Sequence, residues 1–184
     1  MKTRIFILAT ILSIGLVSCK KDADAKTTET NSAATEVKAN FKVEVDAATD
    51  KDDDFAVYYT EDGSINFTPD KALWAGIKAG NEQKVVFQFP GEIVPKSIRL
   101  DFGLKRKENQ GNVVVKTVKF TCYNKDFEIK GSDFFTYFRK NDDIETQIDA
   151  AAGTVTFKQN LKNDSAAFFY PNTTLLDEIK KLEN

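Results

Sequence analysis

The feature that most constrains the fold of this chain is an alternation of apolar and polar residues with a period of two. The clearest examples are residues 41–45, 55–59, 85–89 and 98–102. Successive side chains of a β-strand point to opposite faces of the sheet, so each segment predicts a strand with one buried face. Less regular segments of the same kind predict further strands at 113–123, 127–129, 147–150, 154–157 and 168–170.

The segment 113–123 changes its pattern part-way along. Apolar residues occupy odd positions at Val113 and Val115 and even positions from Val118 to Cys122. A β-bulge adds one residue to a strand and shifts the face to which the later side chains point. The pattern therefore predicts either a bulge near 116–117 or a break between two separate strands.

Two segments have helical rather than period-two spacing. The first is a short helix predicted near 132–139, which carries three phenylalanines along one side. The second is a C-terminal helix, in which Leu175, Ile179 and Leu182 recur at helical spacing. Many short strands with two peripheral helices predict an all-β fold, an antiparallel β-sandwich of the jelly-roll-like kind.

The first eighteen residues have the organisation of a signal peptide. Two basic residues precede a stretch without charge at 5–17, which is too short to span a bilayer. The sequence LVSC at 16–19 resembles the lipobox of bacterial lipoproteins. This resemblance implies that 1–18 is a signal peptide, that cleavage occurs before Cys19, and that the new terminus is acylated and held in a membrane leaflet.

The mature chain then divides into a tether and one domain. Residues 19–40 contain the lipidated cysteine followed by Lys, Ala, Thr, Glu and Asp with no aromatic residue, which predicts a flexible tether. Residues 41–184 form a segment of ordinary size for a single domain. Lys20, followed by acidic residues, resembles the export signal of some Gram-negative lipoproteins. We therefore expect lipid anchoring to the outer membrane, with the domain facing the cell surface.

The composition excludes several classes of function. The chain has no histidine, and its 26 Lys and Arg against 28 Asp and Glu give a net charge of -2. Without histidine, nucleophiles activated by a His base are excluded, and without a basic surplus nucleic acid is not an expected partner. No two carboxylates stand among apolar neighbours that would raise a pKa, as a glycosidase requires. We therefore expect a non-catalytic protein without a bound cofactor.

The densest acidic run offers a candidate metal site. Asp50, Asp52 and Asp54 have the spacing of the first ligands of a calcium loop. Phe55 occupies the position at which an EF-hand requires glycine, so an EF-hand is excluded. A simpler calcium site in a sandwich loop is one interpretation. A solvated turn is the interpretation that we favour.

Aromatic and planar polar side chains are the candidates for ligand binding. Glycan-binding sandwiches stack sugar rings on exposed Trp or Tyr and bind the hydroxyl groups through polar side chains. Trp74 and Tyr58 are the candidate aromatic residues. The candidate polar partners are Gln88, Arg99 and Asp101. Each alternates with apolar residues in its predicted strand, so its side chain is expected to point outward. A buried tryptophan and an ordinary solvated sheet face are the alternative, and the commoner outcome.

Several strand and turn sequences resemble carbohydrate-binding-module-like sandwiches. They are the segments 58–62, 85–90 and 97–103, and 127–135 resembles a lipoprotein subset without a firm activity. Together the resemblance spans about 55–138. It implies a surface lipoprotein that binds polysaccharide without catalysis. The alternative is a structural or accessory envelope lipoprotein that binds a protein partner.

Overall fold

The computed structural model describes residues 39–104, 110–158 and 166–184. The predicted signal peptide at 1–18, the predicted lipidation site Cys19 and most of the predicted tether lie outside these residues. Ala39, near the end of the predicted tether, is buried, and its carbonyl accepts a 2.6 Å hydrogen bond from the backbone of Tyr123. The folded domain therefore includes at least two residues before the expected boundary at 41.

Within the described residues, ten strands form two antiparallel sheets. In chain order they are β1 (Lys42–Thr49), β2 (Asp53–Thr60), β3 (Ala72–Ile77), β4 (Gln83–Gln88), β5 (Ser97–Phe102), β6 (Val113–Cys122), β7 (Lys125–Lys130), β8 (Thr146–Asp149), β9 (Thr154–Phe157) and β10 (Ala167–Phe169). The first sheet has the order β4-β1-β6-β9-β8, with β7 also paired to β6. The second sheet has the order β10-β5-β2-β3.

The inward faces of the two sheets build one core. Its largest fully buried side chains are mostly phenylalanines, namely Phe41, Phe55, Phe120, Phe134, Phe138, Phe157 and Phe169. The period-two alternation of the strands places Phe55, Phe120, Phe157 and Phe169 on one face of each sheet, and Phe134 and Phe138 reach the core from the helical segment after β7. The chain passes repeatedly from one sheet to the other, as in a jelly-roll-like sandwich. The predicted all-β sandwich is confirmed.

The change of pattern within 113–123 is a bulge in one strand. In the pairing of β1 with β6, Asp46 lies opposite Thr117 while Ala47 lies opposite Val115. Lys116 is therefore the extra residue, so the first of the two predicted alternatives, a bulge near 116–117, is the one that the structure shows. On the other side of β6, β9 pairs with its first residues and β7 with its last.

Both predicted helices are present. A 3-10 turn at Gly131–Asp133 leads into α1 (Phe134–Tyr137), and α2 (Thr173–Glu183) ends the chain. Asn172 caps α2, because its side chain accepts a hydrogen bond from the backbone of Leu175. No helix among the described residues is long and apolar enough to cross a membrane.

Candidate functional site

The outer faces of the two sheets differ in chemistry. The first sheet presents alternating charges, such as the Lys42–Glu44 pair at 3.0 Å and the Lys119–Asp126 pair at 2.8 Å. Such a face is what an antiparallel sheet normally shows to water. The second sheet instead presents aromatic rings around the ion pair of Arg99 and Asp101. This departure makes its outer surface the candidate functional site.

The register of the second sheet aligns these side chains in two rows. The first row consists of Trp74, Ala56, Asp101 and Phe168. The second consists of Ala72, Tyr58 and Arg99, with Tyr170 just beyond the end of β10. Phe67, from the connection between β2 and β3, packs against the ring of Tyr170 with centroids 5.7 Å apart. We call this surface the aromatic face and define it by Tyr58, Phe67, Trp74, Phe168 and Tyr170.

Arg99 lies at the centre of the aromatic face. Its guanidinium carbon is 4.1 Å from the centroid of the Tyr58 ring. The rings of Phe67, Phe168 and Tyr170 surround the same guanidinium at 5.6–5.7 Å. Weakly hydrated and planar, a guanidinium stacks favourably on aromatic faces. The residues therefore form a small packed layer outside the main core.

Asp101 holds the guanidinium in place. The Nε and Nη2 atoms of Arg99 each donate a 2.8 Å hydrogen bond to a different carboxylate oxygen of Asp101. Burial raises the pKa of Asp101, and the hydrogen bonds from Arg99 oppose that shift. Burial alone would lower the pKa of Arg99, but the hydrogen bonds and the attraction to Asp101 raise it. The bidentate geometry is that of an ionised pair, so the two charges offset each other.

Trp74 is the exposed member of the aromatic face. Its side chain stands on β3, the edge strand of the second sheet, and the residue is 55% exposed. The indole meets the Tyr58 ring edge-to-face, with centroids 6.2 Å apart. Tyr58 itself is only 9% exposed, because Arg99 and Trp74 cover it. Trp74 thus departs from the commoner buried state, whereas Tyr58 supports the surface from beneath.

Gln88 lies apart from the other predicted contact residues. It belongs to β4 in the first sheet, so it is not part of the aromatic face. Its side-chain amide donates hydrogen bonds to the Asn40 side chain at 2.9 Å and to the Phe41 carbonyl at 3.1 Å. These contacts fix the start of β1 against β4. Of the five predicted contact residues, the fold brings together Tyr58, Trp74, Arg99 and Asp101.

Two of the three aspartates of the candidate calcium site, Asp50 and Asp52, bind different partners. Asp50 accepts hydrogen bonds from the backbone and side chain of Asn112, at 2.8 and 2.9 Å. Asp52 accepts one from the backbone of Ala79 and pairs with Lys78, both at 2.8 Å. Among the described residues, no group of three carboxylates or thiols is placed to hold a metal ion. The bonds of Asp50 and Asp52 tie the β1–β2 turn to neighbouring loops.

A polar groove of about 400 Å³ lies at the end of the second sheet, where β2 ends and β3 begins. It is lined by Thr60, Glu61, Asp62, Ser64, Asn66, Thr68 and Lys71. Thr60 follows Ala56 and Tyr58 on the outer side of β2, so the groove adjoins the aromatic face. Phe67 lies in the connection between β2 and β3, which lines the groove. Its contact with Arg99 packs this connection against the aromatic face.

Sequence reasoning missed three residues of the aromatic face. Phe168 and Tyr170 flank the buried Phe169 in a predicted strand. Because neighbouring side chains of a strand point to opposite faces, their outward direction could have been predicted. Phe67 lies in an irregular connection, and nothing in the local sequence indicates where it packs.

Comparisons of the chain with models of protein families, with curated proteins and with solved structures find no match. Function is therefore inferred from the geometry and chemistry of the aromatic face.

Proposed function

We propose that the domain is a non-catalytic glycan-binding module, held at the outer membrane by a lipid on Cys19 and facing the cell surface. The observation that carries the proposal is the exposed indole of Trp74 beside a packed layer of aromatic rings. The apolar face of a sugar ring stacks on such a surface, and its hydroxyl groups bind polar atoms around it.

The surroundings of Trp74 favour a preformed site. Tyr58 contacts the indole from below, and Arg99 stacks on Tyr58 while Asp101 fixes Arg99. A surface that is rigid before binding loses less conformational entropy when a ligand arrives. A few stacking contacts of about 1 kcal/mol each give weak binding, about millimolar per site.

A second candidate function is an accessory lipoprotein that binds a protein partner. The observation favouring it is the edge strand β3, whose sequence ALWAGI carries no charge. Natural proteins usually protect edge strands with charged residues or proline, and an unprotected edge can pair with a strand of another protein. Strand addition would bury Trp74 without any glycan.

The experiment is affinity electrophoresis of the purified chain through gels that contain soluble polysaccharides. Trp74→Ala is compared with Val86→Ala, because Val86 is also exposed, at 44%, but belongs to the first sheet. We expect Trp74→Ala to weaken binding about fivefold to tenfold, from the loss of one stacking contact. Val86→Ala should bind like the unaltered chain.

Two results would count against glycan binding. One is equal retardation of the Trp74→Ala and Val86→Ala variants, which would place any binding elsewhere. The other is a lack of retardation in every gel together with capture of an envelope protein that Trp74→Ala abolishes. The second result would favour the accessory lipoprotein.

A further inference from the structure

The polar groove continues the aromatic face along the direction of β2. Ala56, in register with Trp74, and Thr60, which lines the groove, are four residues apart on this strand. At about 3.3 Å per residue, the groove begins roughly 13 Å from the row that contains Trp74. A ligand confined to one sugar ring on Trp74 would not reach it, whereas a short oligosaccharide would.

The groove offers hydrogen bonding to a ligand. Asn66 is exposed, and its carboxamide makes no hydrogen bond to any residue that the structure describes. A carboxamide both donates and accepts, which suits a sugar hydroxyl. The other polar groups are partly engaged with one another, since Thr60 donates to the Ser64 carbonyl at 2.8 Å and Lys71 to Glu61 at 2.6 Å.

The charge of this surface selects against acidic ligands. Among its described residues, two cations, Arg99 and Lys71, face the three carboxylates of Asp101, Glu61 and Asp62. Asp70, which precedes Lys71 in the chain, lies beside the groove rather than in its lining. Both cations are paired, Arg99 with Asp101 and Lys71 with Glu61. One carboxylate, that of Asp62, therefore remains in excess in the groove, and Asp70 adds a second beside it.

The two excess carboxylates keep their charge in mildly acidic solution. Hydrogen bonds from Ser64 lower the pKa of Asp62, and a hydrogen bond from the Thr68 hydroxyl lowers the pKa of Asp70. A uronate or sulfate group bound here would be repelled by these carboxylates. Among the described residues of the groove, no unpaired cation would offset that repulsion.

We propose that the ligand of the aromatic face extends along β2 into the polar groove and is an uncharged polysaccharide, whose hydroxyl groups bind the Asn66 carboxamide. This inference rests on the proposed glycan binding through Trp74. It adds a second subsite and the chemical class of the ligand.

The test uses affinity gels of the full chain with four uncharged polysaccharides (dextran, xylan, mannan and laminarin) and two acidic ones (alginate and polygalacturonate). Asn66→Ala removes the groove carboxamide. Asn81→Ala, in the exposed turn between β3 and β4, is the matched control. Measurements at low salt keep the charge effect unscreened, and thermal unfolding checks that both variants are folded.

The expected result is that at least one uncharged polysaccharide retards the chain more than either acidic one. Asn66→Ala should weaken this binding roughly fivefold, the usual effect of losing one neutral hydrogen bond. Asn81→Ala should have no effect.

The contrary outcomes separate the two proposals. If Trp74→Ala weakens binding and Asn66→Ala does not, the groove subsite is wrong and glycan binding stands. If an acidic polysaccharide binds more tightly than every uncharged one, the assignment of an uncharged ligand is wrong. If no polysaccharide retards the chain, both proposals fail.

Discussion

Replacing Tyr58 by leucine tests whether the aromatic face is a packed layer or a loose surface. Tyr58 is 9% exposed, and it contacts both the Arg99 guanidinium at 4.1 Å and the Trp74 indole at 6.2 Å. Leucine fills much of the same volume but has no π-system, so the substitution removes the two aromatic interactions and retains most of the apolar burial.

The expected loss of stability follows from how exposed the two partners of Tyr58, Arg99 and Trp74, are to solvent. The Arg99 side chain is only 17% exposed, so its stacking on Tyr58 is largely desolvated and contributes about 1.5 kcal/mol. The contact with the exposed Trp74 adds about 0.5 kcal/mol. We expect Tyr58→Leu to lower the free energy of unfolding by about 2 kcal/mol, or the melting temperature by about 6 °C in a domain of this size.

The assay is urea unfolding followed by circular dichroism, with Tyr58→Phe as the control. Phenylalanine keeps the ring, and the Tyr58 hydroxyl makes no hydrogen bond within the described residues. Tyr58→Phe should therefore change the free energy of unfolding by less than about 0.5 kcal/mol. Equal stability of the leucine and phenylalanine variants would refute the claim that Arg99 stacking holds this face together.

Three further predictions concern the rest of the chain. Gly131→Ala should cost about 3 kcal/mol in urea unfolding, since its Cβ would lie 2.8 Å from the Val155 nitrogen and closer still to the Val115 carbonyl. Gly76→Ala, whose Cβ would meet its nearest neighbour at an ordinary contact distance of 3.5 Å, should cost under about 1 kcal/mol, and equal costs would contradict this. The Cys122 thiol is fully buried, and burial raises its pKa, so it should resist thiol reagents until the domain unfolds; rapid labelling of the native protein would place it at the surface. Cys19→Ser should release the protein from membrane fractions, and unchanged fractionation in the absence of another membrane partner would contradict the lipid anchor.

Most strands were predictable because alternation is a local property of the sequence. Strand β3 was missed, since ALWAGI has no polar residues to reveal its period. Its small residues Ala72, Ala75 and Gly76 also gave no preference for a strand. The missed strand carries Trp74, so the exposure of the single tryptophan could not be inferred.

The composition of the aromatic face depended on which strands are neighbours. The alternation of apolar and polar residues placed Gln88 and Arg99 on outward faces, but it did not reveal that they belong to different sheets. The pairing of β5 with both β2 and β10 places Arg99 between Tyr58 and Tyr170, two rings that are 112 residues apart in the sequence. Such long-range pairing is decided by the packing of the whole core, and Phe67 was missed for the same reason.

The central claim is tested most directly by the fluorescence of Trp74 during titration with polysaccharides. Trp74 is the only tryptophan of the chain, so the signal reports this one position. Because the residue is 55% exposed, its emission should begin near that of tryptophan in water. We predict a saturable shift of the emission to shorter wavelength, with reduced quenching by acrylamide, when an uncharged polysaccharide stacks on the indole. Unchanged emission and quenching at saturating concentrations of every polysaccharide would contradict glycan binding by this face.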